Sequence, residues 1–145
     1  LAENKMVEAQ QALETFAYDR AAAAVAQANE QYAQLPPEVR PSDLIDTYTS
    51  MAATGLAALD HLEITREQSG NWADYADTRS LALAAGRDFA ALGDTERRDD
   101  ADHLVRSMDQ EQLRIVLLLA ALAVLAIGWL ALRAKTRGPR PLRWD

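Results

Sequence analysis

Apolar and polar positions divide this chain into two regions with different patterns. From Ala2 to Leu92, apolar residues recur every three or four positions, which is the period of an amphipathic helix. From Ile115 to Leu132, eighteen consecutive residues carry no charged or strongly polar side chain. No segment shows the alternation with period two that is typical of a half-buried strand. The pattern therefore predicts an all-α protein, with an antiparallel helical bundle followed by a single C-terminal transmembrane helix.

Three interruptions predict where the helices of the bundle end. They are Pro36-Pro37, Ser69-Gly70 and Gly93-Asp94, because proline stops a helix and glycine commonly follows its last turn. Residues 2–34 are predicted to be helical, as one helix or as two. Ser42 and Asn71 are expected to cap the next two helices, and Asp94 or Thr95 the last. The residues expected to face the core are Met6, Ala9, Leu13, Phe16, Ala24, Ala28 and Tyr32, then Leu44, Tyr48, Met51, Gly55, Leu59 and Leu62, then Trp72, Tyr75, Ala82, Ala85, Phe89 and Leu92.

The last helix is predicted to run without a break from the bundle into the membrane. Between Thr95 and Lys135 there is no proline, and the one glycine, Gly128, lies within the apolar run, where lipid tolerates it. Twenty residues from Leu113 span roughly 30 Å, the thickness of a bilayer core. The expected domains are an outer helical domain (1–112), a transmembrane helix (113–133) and a short basic tail (134–145).

The distribution of charge predicts the orientation of the chain in the membrane. Residues 1–112 hold 21 acidic and 9 basic residues, a net charge of −12, whereas residues 113–145 hold 6 basic and one acidic residue, a net charge of +5. Cations close to the end of a membrane helix are retained in the cytoplasm, so the tail is expected to be cytoplasmic. It should also anchor the chain on anionic lipid headgroups. The residues of this expected lipid anchor are Arg133, Lys135, Arg137, Arg140, Arg143 and Trp144.

An outer N-terminal domain requires export, and several features agree with export. The chain begins at Leu1 instead of methionine, so we expect that a signal peptide has been removed. The sequence has no cysteine, which suits an exported protein and excludes disulfides and thiolate chemistry. A composition rich in alanine and arginine is associated with high-GC prokaryotes. The expected location is the plasma membrane of a prokaryote, with the outer domain in the periplasm or at the cell exterior.

Residues 5–37 carry a pattern that resembles a tetratricopeptide repeat. The residues that resemble its second helix are Tyr18-Asp19-Arg20-Ala21, Val25, Ala28 and Leu35-Pro36, while Ala9 and Ala12 stand where its first helix has small or aromatic residues. Phe16-Ala17 replaces the usual Gly-Asp turn of the family, and the proline comes about three residues late. The resemblance implies helical hairpins with a surface that binds peptides or proteins, and it implies no catalysis.

His61 and His103 are the candidate metal ligands of the sequence. Asp100-x-x-His103 places a carboxylate and an imidazole on one helical face, and Asp60, His61 and Glu63 cluster on another. Helical bundles that hold two metal ions use Glu-x-x-His twice, together with two further glutamates. Here the spacing occurs once, with aspartate, and without cysteine a zinc site would need carboxylates in most positions. The histidines are therefore expected to be exposed flanking residues, and no metal is expected.

A haem site is a further alternative for the bundle. Met6 and His103 loosely resemble the Met/His ligation of small four-helix haem b cytochromes of the bacterial periplasm. However, Met6 falls on the core stripe, where methionine ordinarily fills the core. No cofactor is therefore expected.

Catalysis and nucleic-acid binding have little support in the sequence. There is no Gly-x-Ser-x-Gly motif, no cysteine nucleophile and no glycine-rich phosphate loop, so no enzymatic activity is expected. A domain with a net charge of −12 repels phosphate, which disfavours nucleic acid as a partner.

Two sets of residues are candidates for contact with a partner protein. Ala120, Ala123, Gly128 and Ala131 fall along one face of the membrane helix, where small side chains let helices approach closely. The possible partner surface of the outer domain comprises Trp72, Tyr75, Glu96, Asp99, Asp100 and Asp102. We expect a non-catalytic accessory or scaffold subunit, bound to integral membrane protein subunits and to lipid. The alternative is an outer bundle that binds a ligand, metal or haem as a sensor or electron carrier.

Overall fold

The part of the chain from residue 1 to residue 136 folds into five α-helices. The computed structural model describes residues 1–136, and for Trp72 and Thr136 the backbone alone. The helices are α1 (Ala2–Glu14), α2 (Tyr18–Tyr32), α3 (Ser42–Gln68), α4 (Tyr75–Leu92) and α5 (Thr95–Thr136), with short 3₁₀ turns at Pro37–Val39 and Trp72–Asp74. No strand occurs between residues 1 and 136. The predicted all-α class is confirmed.

The stretch predicted as helical from residue 2 to residue 34 forms two helices. The Ala17 amide donates to the Ala12 carbonyl over 2.8 Å, and Phe16 between them has a φ of 56°. This is a left-handed helix end of the kind that glycine normally supplies. The α4–α5 turn repeats the arrangement with glycine, since the Asp94 amide donates to the Phe89 carbonyl and Gly93 has a φ of 78°. Because no glycine marks the first turn, the sequence pattern left its position open.

Two adjoining clusters form the core of the bundle. The larger is centred on Tyr18 and Phe89, and the smaller contains Met6, Val25 and Ile45. Most residues expected to face the core in α1, α2 and α4 are buried there, with Phe16, Tyr75 and Leu92 half-buried. Many of the buried residues are alanines, whose small side chains let neighbouring helices approach closely.

The seam predicted along α3 needs correction. Leu44 is 43% exposed, and Tyr48, Met51 and Leu59 are half-buried. The buried line of α3 runs instead along Ile45, Ala52, Gly55, Ala58, Leu62 and Thr65. The physical reason is that α3 contacts α2 and α4 at once, so small residues take the central position and larger ones lie at the flanks. Hydrophobicity alone ranks leucine above alanine and so rotates the predicted face.

Two of the predicted helix boundaries also differ from the structure. Ser42 is the first residue of α3 and Pro41 occupies the N-cap position, without a side-chain hydrogen bond. Asn71 caps the 3₁₀ turn that precedes α4, since its Oδ1 accepts the Ala73 amide over 3.3 Å. Gly70 follows the end of α3 but does not adopt the left-handed conformation expected of a capping glycine. The turn between α3 and α4 is therefore built by the 3₁₀ segment.

Helix α5 is continuous over 42 residues, as predicted. The chain divides into two compact units, Leu1–Met108 and a second that begins at Asp109, and α5 contributes to both. In the first unit, Ala101, Val105 and Met108 are buried. From residue 110 to residue 135, every side chain is exposed. This part of α5 includes an 18-residue window with a mean hydropathy of 2.9, long and apolar enough to cross a membrane.

Candidate functional site

A polar cluster joins the α1–α2 turn to the start of α5. The Tyr18 hydroxyl donates to Asp94 Oδ2 over 3.0 Å, and Arg97 Nη1 donates to the same oxygen. Arg97 Nη1 also donates to the Phe16 carbonyl over 3.2 Å, and its guanidinium carbon lies 5.5 Å from the centre of the Tyr18 ring. The Asp94 carboxylate further accepts the Arg97 amide, which caps α5. One carboxylate thus connects α2 to the start of α5.

The Tyr18 hydroxyl of this cluster stays protonated and acts as a hydrogen-bond donor. Burial raises the pKa of the Tyr18 hydroxyl far above its usual value, and the hydrogen bond to Asp94 raises this pKa further. Tyr18 is 1% exposed and stays a neutral donor at any physiological pH. The Arg97 guanidinium supplies the cation that a buried carboxylate needs. The cluster therefore holds the helix ends together through hydrogen bonds of the Tyr18 hydroxyl and the Arg97 guanidinium.

Gly55 is the position on α3 that admits the Tyr18 ring. A Cβ built on Gly55 would lie 2.2 to 2.5 Å from atoms of that ring, closer than any real contact. The ring also stacks on Phe89, with centroids 6.5 Å apart. Sequence reasoning placed Gly55 on the seam of α3 and Tyr18 in the repeat-like motif, but did not connect them. An isolated glycine within a helical pattern was the signal for this close approach.

A charged cleft of about 240 Å³ lies beside the polar cluster. Its cations are Arg66 and Arg97, and each is paired with a carboxylate that also lines the cleft. Arg66 Nη2 lies 3.3 Å from Asp100 Oδ2, and Arg97 is bound to Asp94 as described. Both signs of charge are therefore largely satisfied within the chain.

The predicted partner surface of the outer domain falls into two separate parts. Glu96, Asp99, Asp100 and Asp102 are exposed on the first two turns of α5, where Arg98 pairs with Asp99 over 2.7 Å. Trp72 and Tyr75 lie at the opposite end of α4, where Tyr75 is half-buried. Helix α4 has 18 residues. That length corresponds to about 27 Å, so the aromatic pair and the acidic positions do not form one patch.

The apolar half of α5 (residues 110–135) presents the predicted helix-packing residues on its surface. Ala120, Ala123 and Ala131 fall within an arc of about 80° at roughly 100° per residue, and Gly128 lies about 60° beyond that arc, on the side of Ala131. All four are exposed. Bulky residues including Leu118, Leu122 and Trp129 lie on the opposite side. The small residues therefore form a recognisable, although not contiguous, face.

The side chains at the cationic end of α5 are described as far as Lys135. Arg133 and Lys135 are exposed in the last turn, and the Arg133 guanidinium lies 5.1 Å from the centre of the Trp129 ring. Side chains of a helix lean toward its N-terminus, which brings Arg133 over Trp129 one turn earlier. The other members of the expected lipid anchor, Arg137, Arg140, Arg143 and Trp144, lie outside the described residues.

The candidate metal and haem ligands have different surroundings in the structure. His61 is half-buried, contrary to the expectation of exposure, and its Nδ1 is buried without a hydrogen-bond partner in the described part of the chain. His103 is exposed on α5, whereas Met6 lies in the smaller core cluster beside Ile45. Within residues 1–136, no three histidine or acidic side chains are grouped as a metal site.

The described surfaces that remain as candidates for binding are the acidic start of α5, the clefts of the bundle and the apolar half of α5. Comparisons with models of known protein families, with curated proteins and with solved structures found no significant match.

Proposed function

We propose that the chain is a non-catalytic, single-pass accessory or scaffold subunit of a larger membrane protein complex. The observation that carries this proposal is the full exposure of α5 from residue 110 to residue 135. An exposed apolar surface of that size marks contact with a membrane or a partner. Its face of Ala120, Ala123, Gly128 and Ala131 suits close packing on a helix of an integral membrane subunit. Lipid covers the bulkier side.

The proposed orientation places residues 1–112 outside and the tail in the cytoplasm of a prokaryotic cell. The net charge of −12 on the outer part and the cations after the apolar run support it. Because the sequence contains no cysteine, single cysteines can report topology without background labelling. A membrane-impermeant maleimide should label Gln34→Cys in intact spheroplasts. It should label Arg143→Cys only after lysis, and the reverse result would invert the orientation.

The outer domain is proposed to bind the exposed part of the same partner. The α1–α2 and α3–α4 hairpins support this, because α3 contacts both α1 and α2 as one hairpin stacked on another. That arrangement is compatible with the tetratricopeptide-like pattern of residues 5–37. The exposed carboxylates of Glu96 and Asp102 add a surface suited to a basic partner.

Extraction in a mild detergent, followed by affinity purification and mass spectrometry, tests the proposal. Integral membrane proteins should co-purify with the full chain. Replacing Gly128 and Ala131 together by leucine should lower their recovery because the small face becomes too bulky for close packing. Ala126→Leu is the matched control, since Ala126 lies off that face and should leave recovery unchanged. A lone monomer would contradict the proposal, and a monomer with bound metal or haem would favour a sensor or electron carrier.

A further inference from the structure

An apolar groove lies over α3, between the end of α1 and the end of α4. It encloses about 340 Å³, and its apolar lining consists of Leu13, Phe16, Tyr48, Met51 and Leu92. Gln10 and Glu14 form its rim on α1. We call it the α1–α4 groove. The volume lies within the range of sites that bury a ligand or the anchoring side chains of a peptide.

Two backbone features keep this groove open. Helix α4 ends at Leu92, and a Cβ added to the next residue, Gly93, would meet no atom within 4 Å. On the other side, the left-handed conformation of Phe16 turns the chain away at once into α2. Four of the five apolar lining residues consequently stay half-buried, although their side chains could be covered by an added element.

The rim of the groove carries a carboxylate that the bundle does not neutralise. Gln10 Nε2 donates to Glu14 Oε1 over 2.9 Å, and no cation of the described chain pairs with Glu14. Some exposed carboxylates of the bundle do have a cation partner, such as Glu8 with Lys5 and Asp100 with Arg66. The groove lining contains no lysine or arginine. An occupant with a cation beside an apolar anchor would therefore complement this site.

We infer that the α1–α4 groove binds a basic amphipathic helix of a partner protein. Its apolar side chains, at helical spacing, would enter the groove over Met51 and Leu92, and a flanking lysine or arginine would pair with Glu14. The net charge of −12 on residues 1–112 would steer such a segment toward the bundle. This inference rests on the proposed function, because it names the contact surface for the partner of that complex.

Peptide binding to the full chain in phosphatidylcholine nanodiscs tests the inference. The probe is a fluorescein-labelled helical peptide with leucines on one face and flanking lysines, followed by anisotropy. A matched peptide carries glutamate in place of lysine, and empty nanodiscs report binding to lipid. The lysine peptide should bind the wild-type chain at least about fivefold more tightly than the glutamate peptide, since close charge pairs decide such preferences.

Variants then locate the site. Glu14→Lys should weaken the lysine peptide about fivefold and strengthen the glutamate peptide. Glu30→Lys on α2 changes net charge equally but lies outside the groove, and should change either affinity less than about twofold. Met51→Gln should weaken both peptides about tenfold by removing an apolar wall. Equal urea unfolding midpoints for the four chains show that folding does not cause these differences.

Several outcomes would overturn the inference. They are equal effects of Glu14→Lys and Glu30→Lys, unchanged binding to Met51→Gln, self-association of the chain that depends on the groove residues, and binding of a small apolar dye without any peptide binding. Loss of peptide binding with intact co-purification of membrane partners would remove the groove and leave the proposed function. Peptide binding without co-purifying membrane partners would contradict the proposed function and leave the groove as a peptide-binding site.

Discussion

The two halves of α5 are one helix with two kinds of surface. Between residues 95 and 108, one side is buried through Ala101, Val105 and Met108, and the other carries exposed charges. Between residues 110 and 135, apolar side chains point in every direction and none is buried. The difference teaches that helix continuity and helix environment are set separately. Backbone propensity keeps the helix continuous, whereas the spacing of apolar side chains decides whether one face or the whole circumference is apolar.

The sharpest test of this comparison makes the same kind of truncation in each unit. Phe89 is fully buried in the larger core cluster, so Phe89→Ala should lower the free energy of unfolding of the bundle by about 3–5 kcal/mol. Leu125 is 69% exposed on the apolar half of α5. Leu125→Ala should change the free energy of unfolding of the bundle by less than about 0.5 kcal/mol. Urea unfolding of the full chain in nanodiscs, followed by circular dichroism, measures both. Similar losses would contradict the division.

The complementary test introduces a charge in each half of α5. Leu122→Arg places a cation near the centre of the apolar run and should disfavour membrane insertion by about 3 kcal/mol. Ser107→Arg, on an exposed position in the first half, should leave insertion unchanged. The fraction of chain that resists carbonate extraction from membranes measures the effect. Normal insertion of Leu122→Arg would mean that this part of α5 does not face lipid.

Glycine provides a smaller test of the same contrast. Gly55→Ala should destabilise the bundle by about 1–3 kcal/mol, because the new methyl group would overlap the Tyr18 ring. Gly128→Ala meets nothing within 4 Å and should leave bundle stability unchanged. Thermal unfolding of both variants against the wild-type chain decides the matter. A tolerated Gly55→Ala would show that the Tyr18 ring can move away at little cost.

The smallest expected change in the free energy of unfolding concerns the polar cluster of Tyr18, Asp94 and Arg97. The described apolar half of α5 has no such cluster. Tyr18→Phe should cost about 1 kcal/mol, since Arg97 still satisfies Asp94. Because the pKa of Tyr18 is raised on folding, the folded state holds this proton more tightly than the unfolded state. The Tyr18 hydroxyl therefore makes its full contribution to the free energy of unfolding below about pH 10, the ordinary tyrosine pKa. This contribution is lost as the pH rises above that value. Unfolding free energies measured from pH 8 to 11 should fall more steeply for the wild-type chain than for Tyr18→Phe.

Much of the architecture could be predicted because its causes are local. The absence of a helix breaker between Thr95 and Lys135 predicted the continuity of α5, and Gly93-Asp94 predicted the turn before it. The position of the break at Phe16 could not be predicted, because its left-handed residue is not glycine and its carbonyl accepts a hydrogen bond from Arg97, 81 residues away. The predicted buried face of α3 differs from the observed one for a similar reason, because contact with two neighbouring helices favours small residues at the centre of that face.

Candidate surfaces show the same division between local and distant causes. The small-residue face on the apolar half of α5 could be predicted from helical spacing alone. The exposed acidic turns at the start of α5 could be predicted in the same way. The α1–α4 groove could not be predicted, because α1, α3 and α4 each contribute a part of its lining. The link between Gly55 and Tyr18 was invisible for the same reason.

The sequence by itself determined the all-helical class, the unbroken last helix and the apolar segment that can cross a membrane. These depend on residue type and on spacing over a few turns, so they need no knowledge of distant contacts. Only the tertiary structure decided which face of α3 is buried, that Phe16 adopts a left-handed conformation, and where an open apolar groove meets Glu14, which no cation of residues 1–136 neutralises. Each of these is set by side chains brought together from separate helices, whose packing no local pattern encodes.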